Sequence, residues 1–142
     1  LVGRSLDTSR RFDALKILVG LRSTGRRRLA AMVEQVVDLA RDAARAVEAH
    51  ADLELLAEPS TVTVVFRWRP ADASLGDDVL DAVNVAAQRA LLHSGRAIVG
   101  RTRLDGRVAL KLTLVNPLAC AADVRELLEL VAGAARAAWA GR

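Results

Sequence analysis

The sequence predicts an α+β fold: a two-layer sandwich in which an antiparallel four-stranded sheet carries helices on one face, preceded by two further helices. Three observations support this. Apolar residues recur at three-to-four spacing in four segments. Four shorter segments run in extended, largely alternating patterns. The order is helix, helix, strand, strand, helix, strand, strand, helix, and the later strands are joined by Asp105-Gly106, a strong hairpin signal that favours antiparallel pairing.

The first helix is expected from about Ser9 to Thr24, with Phe12, Leu15, Leu18 and Val19 at helical spacing, possible caps at Asp7, Thr8 and Ser9, and Gly25 as terminator. A longer helix follows from about Arg26 to His50. Leu29, Met32, Val33, Val36, Ala40, Ala43 and Val47 form one continuous apolar stripe, and the other face carries Glu34, Asp38, Arg41, Asp42, Arg45 and Glu48. The period then changes. Leu53 to Ala57 reads as a short strand and Glu58-Pro59-Ser60 as a turn. Thr61 to Arg69 is a strand with Val62, Val64, Phe66 and Trp68 on one face, and Thr61, Thr63, Val65, Arg67 and Arg69 on the other; Pro70 ends it. Ser74 is the expected cap of a helix from about Leu75 to His93, with Asp77 and Asp78 placed to meet its dipole and Gly95 as its stop.

Arg96 to Arg103 and Arg107 to Val115 form the hairpin. In its second strand Val108, Leu110, Leu112 and Leu114 share a face, so Ala109, Lys111, Thr113 and Val115 share the opposite one. Asn116-Pro117 closes the strand. The last helix, about Ala121 to Ala140, is expected to bury Val124, Leu127, Leu128, Val131 and Ala135.

Composition narrows the function classes. Apolar residues make up 52% of the chain, yet charges interrupt them well short of the roughly 20 residues that span a bilayer. We therefore expect no membrane partner. One cysteine cannot form an internal disulfide, which favours a cytoplasmic location. The net charge of +4 permits contact with phosphates, but aromatic content is 3%, Tyr is absent, and Phe66 and Trp68 lie in phase with the core residues Val62 and Val64. A base-stacking surface is thereby disfavoured, and no nucleic-acid partner is expected. The chain opens on Leu1-Val2-Gly3-Arg4 with neither Met nor a signal-peptide pattern, so a fragment or excised domain is expected.

Few constellations carry chemistry. His50 and His93 are distant in sequence and Cys120 has no partner cysteine, so no metal site is expected. Cys120, at a helix start, reads as packing or capping. No glycine-rich phosphate loop occurs. Arg22, Arg26, Arg27 and Arg28 cluster at a helix junction, where they either neutralise helix carbonyls or meet a phosphate. The open sheet face, with Arg67, Arg69 and Lys111, could meet an anion, or Lys111 could simply cover the sheet with its stem.

Three stretches carry a resemblance. Thr8-Ser9-Arg10-Arg11-Phe12-Asp13-Ala14-Leu15-Lys16, Gly95 to Thr102, and Ala109-Leu110-Lys111-Leu112-Thr113-Leu114-Val115-Asn116-Pro117 resemble, in order, the C-terminal segment of the pyridoxal-phosphate-dependent group II amino-acid decarboxylases. The diaminobutyrate-decarboxylase-like branch is the most similar. The resemblance spans essentially the whole chain. It implies the small C-terminal domain of a fold-type-I enzyme, a homodimer with active sites at the subunit interface. Residues 1–50 would be a helical segment joining a missing N-terminal large domain, and residues 51–142 the small α+β domain.

In that family a lysine following a His binds the cofactor and a mobile-loop Tyr donates a proton. Here Lys16 follows Leu15, Lys111 follows Leu110, and Tyr is absent. The resemblance therefore assigns no catalytic and no cofactor-binding residue to this chain. Pyridoxal phosphate is expected in the full-length enzyme and not on this chain alone, which should be inactive by itself. One role transfers: related enzymes set an Arg against the substrate α-carboxylate at the position of Lys111, where Lys keeps the charge but loses bidentate geometry. Lys111 is the single substrate-binding candidate. The alternative is a stand-alone α+β binding module using a basic sheet face for an anionic ligand or partner.

Overall fold

The change of period after residue 50 becomes a change from helix to sheet in the computed structural model, which describes residues 12–71 and 74–141. Helices α1 (Asp13–Thr24) and α2 (Arg26–Glu48) are followed by strands β1 (Leu53–Ala57) and β2 (Thr63–Trp68), helix α3 (Asp77–Ser94), strands β3 (Gly100–Leu104) and β4 (Arg107–Thr113), and helix α4 (Ala121–Ala140). Type and order agree with the sequence throughout. The chain divides into two compact units, Leu1–Glu34 and Gln35–Arg142.

In the first unit, α1 ends at Gly25, whose φ of 79° disfavours residues bearing a Cβ. The expected caps Asp7, Thr8 and Ser9 lie outside the described residues. Helix α1 buries none of its residues: Ile17 is 67% exposed and Val19 54%. Leu29 and Val33, at the start of α2, are also exposed. The stripe expected to be continuous from Leu29 therefore joins the core only from Val36 onward. Periodicity marks which side of a helix is apolar, but not where along its length a partner surface begins.

In the second unit the strand order is β1-β2-β4-β3, every pair antiparallel. Asp105 and Gly106 both take positive φ, 50° and 79°, as a two-residue type I′ turn requires. The hairpin thus closes as Asp-Gly predicts, but β3 begins at Gly100 and not at Arg96. Helix α3 begins after Gly76, without a side-chain cap, so Ser74 is not its cap as expected.

One face of the sheet carries Leu53, Val64, Phe66, Trp68, Leu110 and Leu112 into a core shared with Leu80, Val83 and Leu91 of α3 and Val124, Leu128 and Val131 of α4. The later half of α2 adds Ala40, Ala43 and Val47. Each large side chain fully buried here contributes about 1.5–3 kcal/mol. Pairing of β2 with β4 stops at Phe66–Leu110, and continuing the register would set Trp68 opposite Val108. Helix α3 inserts two polar side chains there instead. Buried Asn84 accepts from Trp68 N at 2.8 Å and donates to Trp68 O at 3.0 Å, while Asp81 accepts from Val108 N at 2.8 Å. Backbone groups left by the end of the ladder are thus satisfied by the helix above it.

Candidate functional site

The sheet face away from the Phe66–Leu110 layer is set by the same alternation. Across it, Thr63 lies opposite Thr113, Val65 opposite Lys111 and Lys111 opposite Gly100, while on the outer strand Glu54 lies opposite Arg67. Lys111 is therefore near the middle of the open face on an inner strand, with its ammonium stem lying over β3.

Arg67 takes a different course. Its side chain is only 3% exposed. Nε donates to Glu54 Oε2 at 2.9 Å and Nη2 to Asp77 Oδ1 at 2.8 Å, while Nη1 is buried with no partner among the described residues. Burial opposes the charge, but the bonds to Asp77 and Glu54 outweigh it and hold the guanidinium pKa above its ordinary value. Arg67 in turn, with weaker contributions from Arg107 and Arg69, holds the Asp77 carboxyl below the usual carboxylate range. Arg69 donates to the other Glu54 oxygen at 3.1 Å. The basic face expected from Arg67, Arg69 and Lys111 is thus corrected: two of its three cations are neutralised by carboxylates that alternation could not reveal. Asp77 comes from the start of α3 and Glu54 from the neighbouring strand, so both contacts depend on topology.

The Lys111 ammonium has no hydrogen bond or ion pair among the described residues. A Cβ placed on Gly100 would lie 2.7 Å from Lys111 Cγ and 2.9 Å from its Cε, so the stem occupies the space that the glycine leaves. Lys16, by contrast, is exposed on α1 and pairs with Asp13 at 2.9 Å. The junction arginines Arg22, Arg26, Arg27 and Arg28 are exposed.

The remaining candidates serve the fold. His50 Nδ1 accepts from Asp52 N at 3.0 Å, and His93 Nδ1 lies 2.8 Å from the Arg89 carbonyl. Cys120 precedes α4 and its backbone N–H donates to Asp123 Oδ2 at 2.8 Å; that bond, with a lesser one from the thiol, keeps the Asp123 carboxyl below its usual range. Among the described residues no cluster of three His, Cys, Asp or Glu side chains could hold a metal ion. No helix among them is long and apolar enough to cross a membrane.

Residues 3–69 match the model of the pyridoxal-dependent decarboxylase conserved domain. The chain is 40% identical, over 96% of its length, to an L-2,4-diaminobutyrate decarboxylase of Rhizobium meliloti (strain 1021), of which it covers 27%. An enzyme of the same name from Acinetobacter baumannii is 34% identical over 92% of this chain and 25% of its own. The crystal structure of the glutamate decarboxylase domain of diaminobutyrate-pyruvate transaminase and L-2,4-diaminobutyrate decarboxylase from Vibrio parahaemolyticus superposes with a TM-score of 0.81. It is 34% identical, with 92% of this chain and 27% of that one covered. The chain is thus similar, over nearly its whole length, to part of the pyridoxal-dependent decarboxylases.

It spans about a quarter of the length of the curated relatives it matches. The α+β sandwich is the part that those structures share with it. Of its two lysines, Lys16 is exposed beside Asp13 and the stem of Lys111 lies over the backbone of β3 at Gly100. A stand-alone module with a basic sheet face is not the favoured reading for a chain with these relatives.

Proposed function

We propose that this chain is the C-terminal part of a pyridoxal-phosphate-dependent amino-acid decarboxylase and that it contributes dimer interface and one wall of the substrate pocket. In the whole enzyme, residues 1–50 join the large domain and residues 51–142 form the small domain. The cofactor, held by a lysine of the large domain, supplies the electron sink for loss of the α-carboxylate as carbon dioxide. This chain alone is inactive. The relatives' names support L-2,4-diaminobutyrate as substrate of the whole, and the homodimer and cytoplasmic location belong to the same reading.

The observation that carries a role for this chain is Lys111. On the open face Lys111 and Arg107, at alternate positions of β4, have no ion-pair partner among the described residues, and Lys111 is the one near the middle of the sheet, whereas Arg67 and Arg69 are committed to Glu54 and Asp77. An ammonium presented from a sheet recognises a carboxylate by charge and by up to three hydrogen bonds. Lys111 therefore binds the substrate α-carboxylate.

The test is Lys111→Ala in the full-length enzyme. Loss of one charge-assisted hydrogen bond should raise KM for L-2,4-diaminobutyrate by roughly 10- to 100-fold. Unchanged kinetics would leave Lys111 as a side chain that covers the sheet. The missing cofactor site has its own test. Borohydride reduction of the 142-residue chain mixed with pyridoxal phosphate should fix no adduct at one defined lysine, and a stoichiometric adduct at Lys16 or Lys111 would overturn the reading.

A further inference from the structure

Glycine inside a strand weakens it, because it has no side chain to pack and loses more freedom on folding than any other residue. Gly100 opens β3 with an ordinary extended backbone: it is absent from the residues with positive φ, which are Asp105, Gly25, Gly95 and Gly106. Backbone conformation therefore does not require glycine there. Space does. A Cβ at position 100 would come within 2.7 Å of Lys111 Cγ, 2.9 Å of its Cε and 3.3 Å of its carbonyl oxygen. The first of these atoms is near the root of the side chain, so it cannot yield by a small swing of the ammonium end; the rotamer itself must change.

The two ladder partners of Lys111 explain the direction of its stem. On β2 its partner is Val65, whose branched side chain stands on that flank; on β3 its partner is Gly100, which presents only backbone. The stem lies over the bare flank. We propose that Gly100 is a positioning residue: by leaving this strip of backbone uncovered it fixes the rotamer of Lys111 and thus the place at which the ammonium meets the substrate carboxylate. This inference rests on the carboxylate-binding reading of Lys111 for its consequence, but its geometric part stands apart from any substrate.

The experiment is a double-mutant cycle of Gly100→Ala and Lys111→Ala in the full-length enzyme, read three ways. In kinetics, G100A should raise KM for L-2,4-diaminobutyrate by about tenfold with a smaller change in kcat, and should add nothing in the K111A background. In thermal unfolding, G100A should lower the Tm, and part of that loss should disappear in the double variant, where no Cγ remains to be struck. In spectroscopy, lysines reductively methylated with 13C-formaldehyde give a Lys111 resonance, assigned by its absence from K111A, that G100A should shift.

A KM effect of G100A that persists undiminished in K111A would overturn the inference, as would an unmoved Lys111 resonance with additive Tm changes. If K111A itself leaves KM unchanged, the carboxylate reading fails alone, and the resonance and the Tm coupling decide the role of Gly100. Should G100A fail to fold, the double variant decides: recovery of folding upholds the steric link to Lys111, and failure of both variants refutes it.

Discussion

Arg67 and Lys111 project from the same face of one sheet, on adjacent strands, and their environments set them to different work. Arg67 is buried and held by two carboxylates, an arrangement that fixes the start of α3 against the edge of the sheet. Replacing it by Met keeps much of the stem but removes both charge-assisted bonds, and we expect a loss of about 1.5–3 kcal/mol in urea unfolding at pH 7. The pH dependence follows from Asp77. Its folded pKa is depressed, so its contribution is present above the unfolded carboxylate value, near pH 4, and is lost as pH falls through the folded value. The difference between wild type and Arg67→Met should therefore shrink between pH 5 and about pH 3, and a difference constant over that range would show that Asp77 contributes nothing. Asp123, depressed by the Cys120 backbone N–H, should act in the same direction. The alternation of β2 was legible and put Arg67 on the correct face. Its neutralisation was not, because Glu54 and Asp77 lie 13 and 10 residues away and only the fold brings them together.

Among the elements, α3 has the most specific link to the sheet. Asn84, fully buried, bonds Trp68 N, Trp68 O and Leu80 O, and Asp81 one turn earlier bonds Val108 N. Both are polar residues that helical periodicity would pass over. Asn84→Ala leaves the Trp68 N–H and carbonyl buried without partners, at a cost of about 1–3 kcal/mol for each group. Amide hydrogen exchange at Trp68 should then accelerate before that at Phe66, which β4 still pairs. Equal acceleration along β2 would argue for global destabilisation. The hairpin offers a second case. Gly106→Ala places a Cβ at φ 79° and should cost on the order of 1 kcal/mol, measurable as a shift in urea midpoint. The turn was legible because its chemistry is local; the link through Asn84 was not, because it depends on where the ladder ends.

At the scale of the molecule, the exposed apolar face of α1 and the start of α2 fits a chain that spans about a quarter of its relatives. Leu15 and Leu18 are 47% and 48% exposed. Replacing both by Ser should change the stability of the 142-residue chain by no more than about 0.5 kcal/mol, as surface substitutions do. In the full-length enzyme the same pair should lower the Tm by several degrees if, as proposed, residues 1–50 join the large domain there. Equal, small effects in both would mean that this face stays open in the whole enzyme.

The sequence by itself determined the class and order of the elements, the hairpin turn and the side of β4 on which Lys111 stands, because periods of 3.6 and 2 and the demand of a type I′ turn are local properties. Its motifs also carried the resemblance to the pyridoxal-dependent decarboxylases that the relatives share. Only the tertiary structure decided that β4 lies between β2 and β3, which places Lys111 in the interior of the sheet and sets Gly100 beside it. It alone decided which cations keep their charge available, since strand order and the entry of α3 determine which carboxylates come within reach, and those depend on contacts between residues far apart in the chain.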